Sequence, residues 1–215
     1  MNFKIIFSLT GCGVYYNANE PLMLDGLVMY SHLPMELSRR QLTRDEEPVE
    51  IELPLLMDKK LGVYHASALF PAENDSAESL RYWRKKFNVT ATRGITKGSP
   101  NLTNAIYREY NTPLPLLLST ELVAYGSGNR ESVLSLLRRN VKYLGKKRAY
   151  GFGKIIDIQA EETADDLSLV AEGKAMRWLP VEKGYRKVRL TPPYWNTWGA
   201  VNCCEIGDDY TITKS

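Results

Sequence analysis

The chain opens on strict alternation: Phe3, Ile5, Phe7 and Leu9 are apolar, with Lys4 and Ser8 between them. A period of two puts one set of side chains on one face, so the pattern predicts a strand over 2–10. Gly11 and Gly13 break it. From Pro21 the period lengthens. Leu22, Leu24, Leu27, Val28 and Leu33 share a helical face that Pro21 opens and Pro34 bends or closes. Residues 36–42 suit a second helical piece, and 43–48 are charged and turn-like. The stretch 49–56 reads as extended and limited to an edge by Pro54, 62–70 alternates as a strand, and 72–77 is a polar loop.

Residues 80–112 break the rhythm. They are basic and aromatic at one end and polar in the middle, with no core period beyond Phe87, Val89 and Ala91. That suits a projecting hairpin. A strand follows over 114–124 despite Pro115, then a turn over 126–129. Residues 130–143 form an amphipathic helix with Val133, Leu134, Leu136, Leu137 and Val141 on one side, and 152–158 a further strand. The order β-α-β-insert-β-α-β is the split βαβ, or ferredoxin-like, order. The expected fold class is therefore α+β: a core over 1–162 with an insertion at about 72–113, and a small β-rich extension over 163–215.

Composition alters this picture little, since 215 residues with 44% hydrophobic and 25% charged content describe an ordinary globular chain. The placement of charge alters it more. The net charge is only +3, yet 81–98 holds six basic residues and no acid, 138–156 holds seven and no acid, and 174–189 holds six against Glu182. Three basic blocks in a nearly neutral chain predict one charged face. Cys12, Cys203 and Cys204 are odd in number and lack metal-ligand spacing, so they read as packing residues. Leu9-Thr10-Gly11-Cys12 looks like a lipoprotein processing box, but the apolar run before it is too short for a signal peptide. No run approaches a membrane span, and the expected location is the cytoplasm.

The richest local chemistry is Gly145-Lys146-Lys147-Arg148-Ala149-Tyr150-Gly151-Phe152-Gly153. Glycines allow close backbone approach, three cations follow Gly145, and Phe152 adds a flat face, a combination that suits a phosphodiester chain with a base to stack. The spacing is not that of a phosphate loop, and a loop between a helix and a following strand is not the dinucleotide fingerprint. The same residues also suit a plain helix stop at Gly145 and strand start at Gly151, and local sequence does not separate the two readings.

The element order and this loop resemble the repeat-associated RNA-binding (RAMP) superfamily of CRISPR systems. Within it, the chain is most similar to the type IV subunit that holds the 5′ handle of the guide RNA. The resemblance is carried by Pro21-Leu22-Met23-Leu24-Asp25-Gly26-Leu27, by Tyr64-His65-Ala66-Ser67-Ala68, by the run from Tyr125-Gly126 to Gly151-Phe152-Gly153, and by Leu190-Thr191-Pro192-Pro193-Tyr194-Trp195. It implies a guide-RNA-binding subunit that caps a filament of backbone subunits beside a large subunit. Its thumb would insert at the guide–target duplex, touching target DNA indirectly. On this reading Gly145, Lys146, Lys147, Arg148, Gly151, Phe152 and Gly153 contact RNA, with Arg138, Arg139 and Lys142 beside them. Arg81, Trp83, Arg84, Lys85, Lys86, Arg93 and Lys97 belong to the thumb. No cofactor and no metal is expected.

The rival within the superfamily is a guide-processing ribonuclease, whose chemistry needs an acid and a base around a 2′-hydroxyl, commonly His. His32, near the end of the first helix, is the candidate, although a histidine there also suits capping of the last carbonyls. His65 lies among structural-looking neighbours. Asp157 is the only acid inside a good core strand, which disfavours two-metal hydrolysis. A general RNA-binding module would carry aromatic residues on its central strands, and 154–158 has none. The expectation is a binder rather than an enzyme.

Overall fold

A computed structural model describes residues 1–11, 13–15, 20–32, 51–72, 76–86 and 109–212. The expected helical piece over 36–42, Cys12, and the hairpin residues Phe87, Arg93 and Lys97 lie outside them.

The first strand, β1 (Asn2–Leu9), follows the alternation, with Phe3, Ile5, Phe7 and Leu9 buried and the residues between them half-buried. A short β2 (Val14–Tyr15) comes next, then α1 (Leu24–His32). The helix starts three residues after Pro21 because the preceding backbone is engaged elsewhere: the Leu22 carbonyl accepts from Leu69 N–H at 2.8 Å, and Leu24 N–H donates to Ser67 at 3.0 Å. Asp58 then ties the turn between β3 (Met57–Asp58) and β4 (Val63–Tyr64) by accepting from the Lys60 and Leu61 amides.

Two sequence expectations need correction here. The strand expected over 62–70 is an extended segment whose partners keep changing. Tyr64 pairs with Met57, Ala66 bridges Gly126, Ala68 bridges Met23, and β5 (Phe70–Pro71) joins another strand. A tight turn from Ala66 N–H back to the Tyr64 carbonyl kinks it. The strand expected over 114–124 is two strands. The hairpin arm β6 (Ser76–Lys85), which begins inside the expected loop over 72–77, pairs with β7 (Tyr110–Ser119), from Ser76 opposite Ser119 to Lys85 opposite Tyr110. After Thr120 the chain enters β8 (Glu121–Ser127) in a different sheet.

The second helix, α2 (Arg130–Asn140), starts where the Asn129 side chain accepts from Ser132 N–H at 3.1 Å, an N-cap. It leads through a short 3-10 turn (Arg148–Tyr150) to β9 (Ile155–Glu162), which starts and ends later than the strand expected over 152–158. The tail carries short strands as expected: β10 (Val170–Ala171), β11 (Lys174–Ala175), β12 (Arg186–Val188) and β13 (Val201–Cys203).

The result is a mixed α/β fold with two described helices and mostly antiparallel sheets. The central sheet runs β5–β8–β1–β9, every neighbour antiparallel. Phe3, Ile5 and Phe7 stand opposite Gly126, Ala124 and Leu122. That face meets Leu24 and Val28 of α1 and Val133 and Leu137 of α2, so both helices cover one side of the sheet. Gly126 is required there for space: a Cβ would lie 2.8 Å from the Phe3 ring. Each fully buried Phe or Ile contributes about 1.5–3 kcal/mol of transfer free energy. The opposite face carries Lys4, Ser8, Asp157 and Gln159, and Lys4 lies 4.0 Å from Glu161.

The extension is locked onto this core by buried charge. Arg177 and Asp25 are both fully buried, with Arg177 Nη1 3.2 Å from Asp25 Oδ2. Arg177 also donates to the Tyr64, Ala66 and Leu190 carbonyls and to the Tyr194 hydroxyl, while Tyr194 donates to Asp25 at 2.6 Å. Burial pushes the Tyr194 phenol well above its usual range, so it stays protonated and keeps donating. Arg177 therefore does not join the charged face expected of 174–189, and Lys174 is paired with Asp209 at 2.8 Å. Cys203 and Cys204 point into separate clusters, the first with Met23, Ala68 and Trp178, the second with Val63, Leu169 and Leu179. Both are free thiols, and burial pushes Cys203 up to about 11.

Candidate nucleic-acid interface

The glycine-rich loop is closed at its neck by backbone bonds. Leu144 N–H donates to the Gly153 carbonyl at 2.8 Å, and Ile155 N–H to Lys142 at 3.0 Å. Gly153, at φ 65°, passes so close that a Cβ would sit 2.0 Å from the Leu144 oxygen, and one on Gly145 would sit 2.4 Å from the Tyr15 oxygen. The loop is also stapled to the β2 segment. Lys146 N–H donates to Tyr15 and Gly153 N–H to Gly13, both at 2.9 Å. These glycines are therefore needed by the fold whatever the loop binds. Gly151, at φ 86° with open space around it, ends the 3-10 turn.

The cations sit on this rigid base. Lys146 and Arg148 are exposed, and Lys146 Nζ lies 4.0 Å from the equally exposed Glu20 carboxylate. Lys147 has φ 60°, a left-handed backbone that costs a non-glycine residue roughly 1–2 kcal/mol. Its side chain compensates: Nζ lies 3.8 Å over the Trp83 ring, within cation–π range. Tyr150 meets the same ring edge-on at 4.6 Å and leaves 64% of its own surface exposed.

Trp83 belongs to β6, so two blocks far apart in sequence meet in space. Side chains alternate along a strand, so Arg81 and Lys85 share the Trp83 face toward the loop, while Tyr82 and Arg84 share the other. Arg81, Arg84 and Lys86 are exposed. Arg84 Nε donates to Asn111 at 3.0 Å, and its guanidinium lies 5.8 Å from the Tyr82 ring.

Other expected contacts divide. Arg139 is exposed. Arg138 donates to the Ile158 carbonyl at 2.8 Å, and Lys142 donates to the Arg138 carbonyl at 2.6 Å, so both are tied to the helix end. Phe152 is half-buried against Tyr15, ring centroids 4.4 Å apart. The exposed ring of the loop is Tyr150, which the sequence reading passed over. Its signal was its place between the basic triplet and Gly151. Asp157 is exposed and held below the usual carboxylate range by hydrogen bonds from Gln159 and the Ile158 amide.

Neither histidine lies in this basic region. His32 lines an open cleft with Glu52, Glu131 and Ser132. His65 Nδ1 is 2.6 Å from Asp166 Oδ2, and Ser168, fully buried, approaches the same nitrogen at 3.4 Å. Carboxylate and hydroxyl on one ring nitrogen cannot form a proton relay across the imidazole, which needs both nitrogens. Among the described residues no group of three His, Cys, Asp or Glu could hold a metal ion, and no helix is long and apolar enough to cross a membrane.

A family model described as "CRISPR type IV associated protein Csf3" matches residues 1–205. No curated protein matches the chain.

Proposed function

The chain belongs to the Csf3 family of CRISPR type IV associated proteins, and on that premise we propose that it is the non-catalytic subunit that grips the 5′ handle of the guide RNA. Type IV association implies a multi-subunit complex. In it the chain caps a filament of backbone subunits beside a large subunit, in the cytoplasm, with its thumb at the guide–target duplex. The observation that carries this reading is the convergence of the glycine-rich loop with the basic hairpin arm, Lys147 over Trp83 at 3.8 Å. A rigid backbone ridge, exposed cations and exposed rings together suit a single strand held by its phosphates. The core strands, taken in chain order β1, β5, β8 and β9, sit second–third–first–fourth with two helices on one side. That order supports a ferredoxin-like RAMP core.

The processing-nuclease alternative rests on His32, whose cleft is lined, among the described residues, by carboxylates and by no cation for a phosphate. One experiment separates the two readings. Lys146→Glu, Lys147→Glu and Arg148→Glu combined should weaken repeat-RNA binding and flatten its salt dependence by about one unit of slope per lost phosphate contact. The RNA should stay intact throughout. Unchanged affinity and slope in the folded variant would sink the loop's role, and cleavage abolished by His32→Ala would establish the nuclease instead.

A further inference from the structure

An apolar cleft of about 340 Å³ opens between α1 and the proline-rich segment of the extension. Its lining includes Pro21, Leu27, Tyr30, Pro193, Tyr194 and Trp195. The volume falls within the range of small-ligand sites, about 300–1,000 Å³. Two large rings at its mouth stay wet, Tyr30 at 53% and Trp195 at 44% exposure. The Tyr194 hydroxyl is taken by Asp25 and Arg177.

One ion pair links the cleft edge to the basic loop. Pro21 is bonded to Glu20, whose carboxylate lies 4.0 Å from Lys146 Nζ. Both side chains of that pair are exposed, so an incoming phosphate can take the ammonium from Glu20. A strand whose phosphate sits on Lys146 therefore has an apolar recess within reach past Glu20 and Pro21.

We propose that this cleft seats one splayed base of the bound RNA, stacked against Trp195 and Tyr30. This rests on the guide-RNA reading above and extends it to a second, uncharged subsite built partly by residues 192–195. An apolar side chain of a partner protein would also fit such a recess, but the Lys146 ammonium paired to Glu20 and the rings of Tyr30, Tyr194 and Trp195 in the lining favour a base. Because apolar side chains rather than polar groups dominate the lining, the site selects by stacking area and not by hydrogen-bonded identity. Purines should be held better than pyrimidines, and an abasic nucleotide worst.

The test uses the full chain and a repeat-derived RNA oligonucleotide in which one nucleotide at a time is made abasic. One position should cost roughly ten-fold in affinity, the scale of a single base–aromatic stack. Trp195→Ala should cost a similar factor with the intact RNA and nothing further with that abasic RNA, whereas Trp195→Phe should restore most of the affinity. Tyr30→Ala should behave like Trp195→Ala, and folding of each variant is checked by thermal unfolding. A flat abasic scan, or additive losses from protein and RNA changes, would overturn the subsite. So would intact RNA affinity in Trp195→Ala accompanied by lost binding to other subunits, which would assign the cleft to a protein. The charge-reversed loop variant keeps the two readings apart: if it loses affinity while Trp195→Ala does not, only the subsite fails.

Discussion

Asp25 and Arg177 illustrate what a single buried charge demands. Removing one partner strands the other in a medium that cannot solvate it, which typically costs about 3–5 kcal/mol. Asp25→Ala should therefore lower stability by about that much in urea denaturation, and Tyr194→Phe by roughly 1.5–3 kcal/mol for each of the two bonds its hydroxyl makes to charged groups. A loss below about 1 kcal/mol for Asp25→Ala would show that water or another group replaces the carboxylate. Asp25 was visible in the sequence as part of the Leu24-Asp25-Gly26-Leu27 helix motif. Arg177 was not, because a basic residue inside a basic block carries a surface pattern, and nothing local identifies a partner 152 positions away. Lys147 and Trp83 were each legible as candidates; their contact was not, since it depends on how a hairpin arm crosses a loop.

Among the elements, the hairpin is the clearest case of a part built to project. Burial stops at Leu116: Leu80 and Tyr82 on β6 are 55% and 52% exposed, and the paired Pro113 and Pro115 are exposed as well. Two prolines two positions apart place their missing donors on the same edge. The other edge is paired to β6, so the outer edge is the one blunted against a further strand. Excising 84–111 and joining Trp83 to Thr112, its strand partner, with a short Gly-Ser turn should shift Tm by only a few degrees. Repeat-RNA binding through the loop should persist, while assembly with other subunits or target binding should fail. Collapse of the isolated fold in thermal unfolding would show that the arms are structural. The hairpin was legible as a region without core period. The division of 114–124 was not, because the apolar run is nearly continuous and the corner at Thr120 is made by Ser119 bonding the Glu121 backbone, a local contact with no periodic signature.

At the scale of the whole molecule, extension and core share two apolar clusters and are joined by charge as well, in the Arg177 network and in the exposed-edge pair His65–Asp166. Burial would raise the Asp166 carboxyl, but hydrogen bonds from His65 and from the Ser168 hydroxyl and amide, with the imidazole's charge, hold it far below the usual range. A folded-state value below the unfolded one, about 3.9, means that its stabilisation is present above that pH and is lost as pH falls through and below it. The stability difference between the wild type and Asp166→Asn should shrink on acidification below about pH 4, as followed by denaturation at a series of pH values; a difference that does not change over that acid range would show that the pair is idle. The mixing of strands with a few helices and the short strands of the tail were readable from periodicity, whereas the joining of tail to core was not, since it runs through side chains distant in sequence. That distance also has a temporal meaning. Ribosomes add about 5–20 residues per second, so the 152 positions between Asp25 and Arg177 take about 8–30 s to make. Throughout that interval the nascent chain holds an aspartate destined for the interior with no cation to meet it. Final closure of the core must therefore await the last stretch of translation, and a ribosome that stalls before Arg177 releases a product that cannot close.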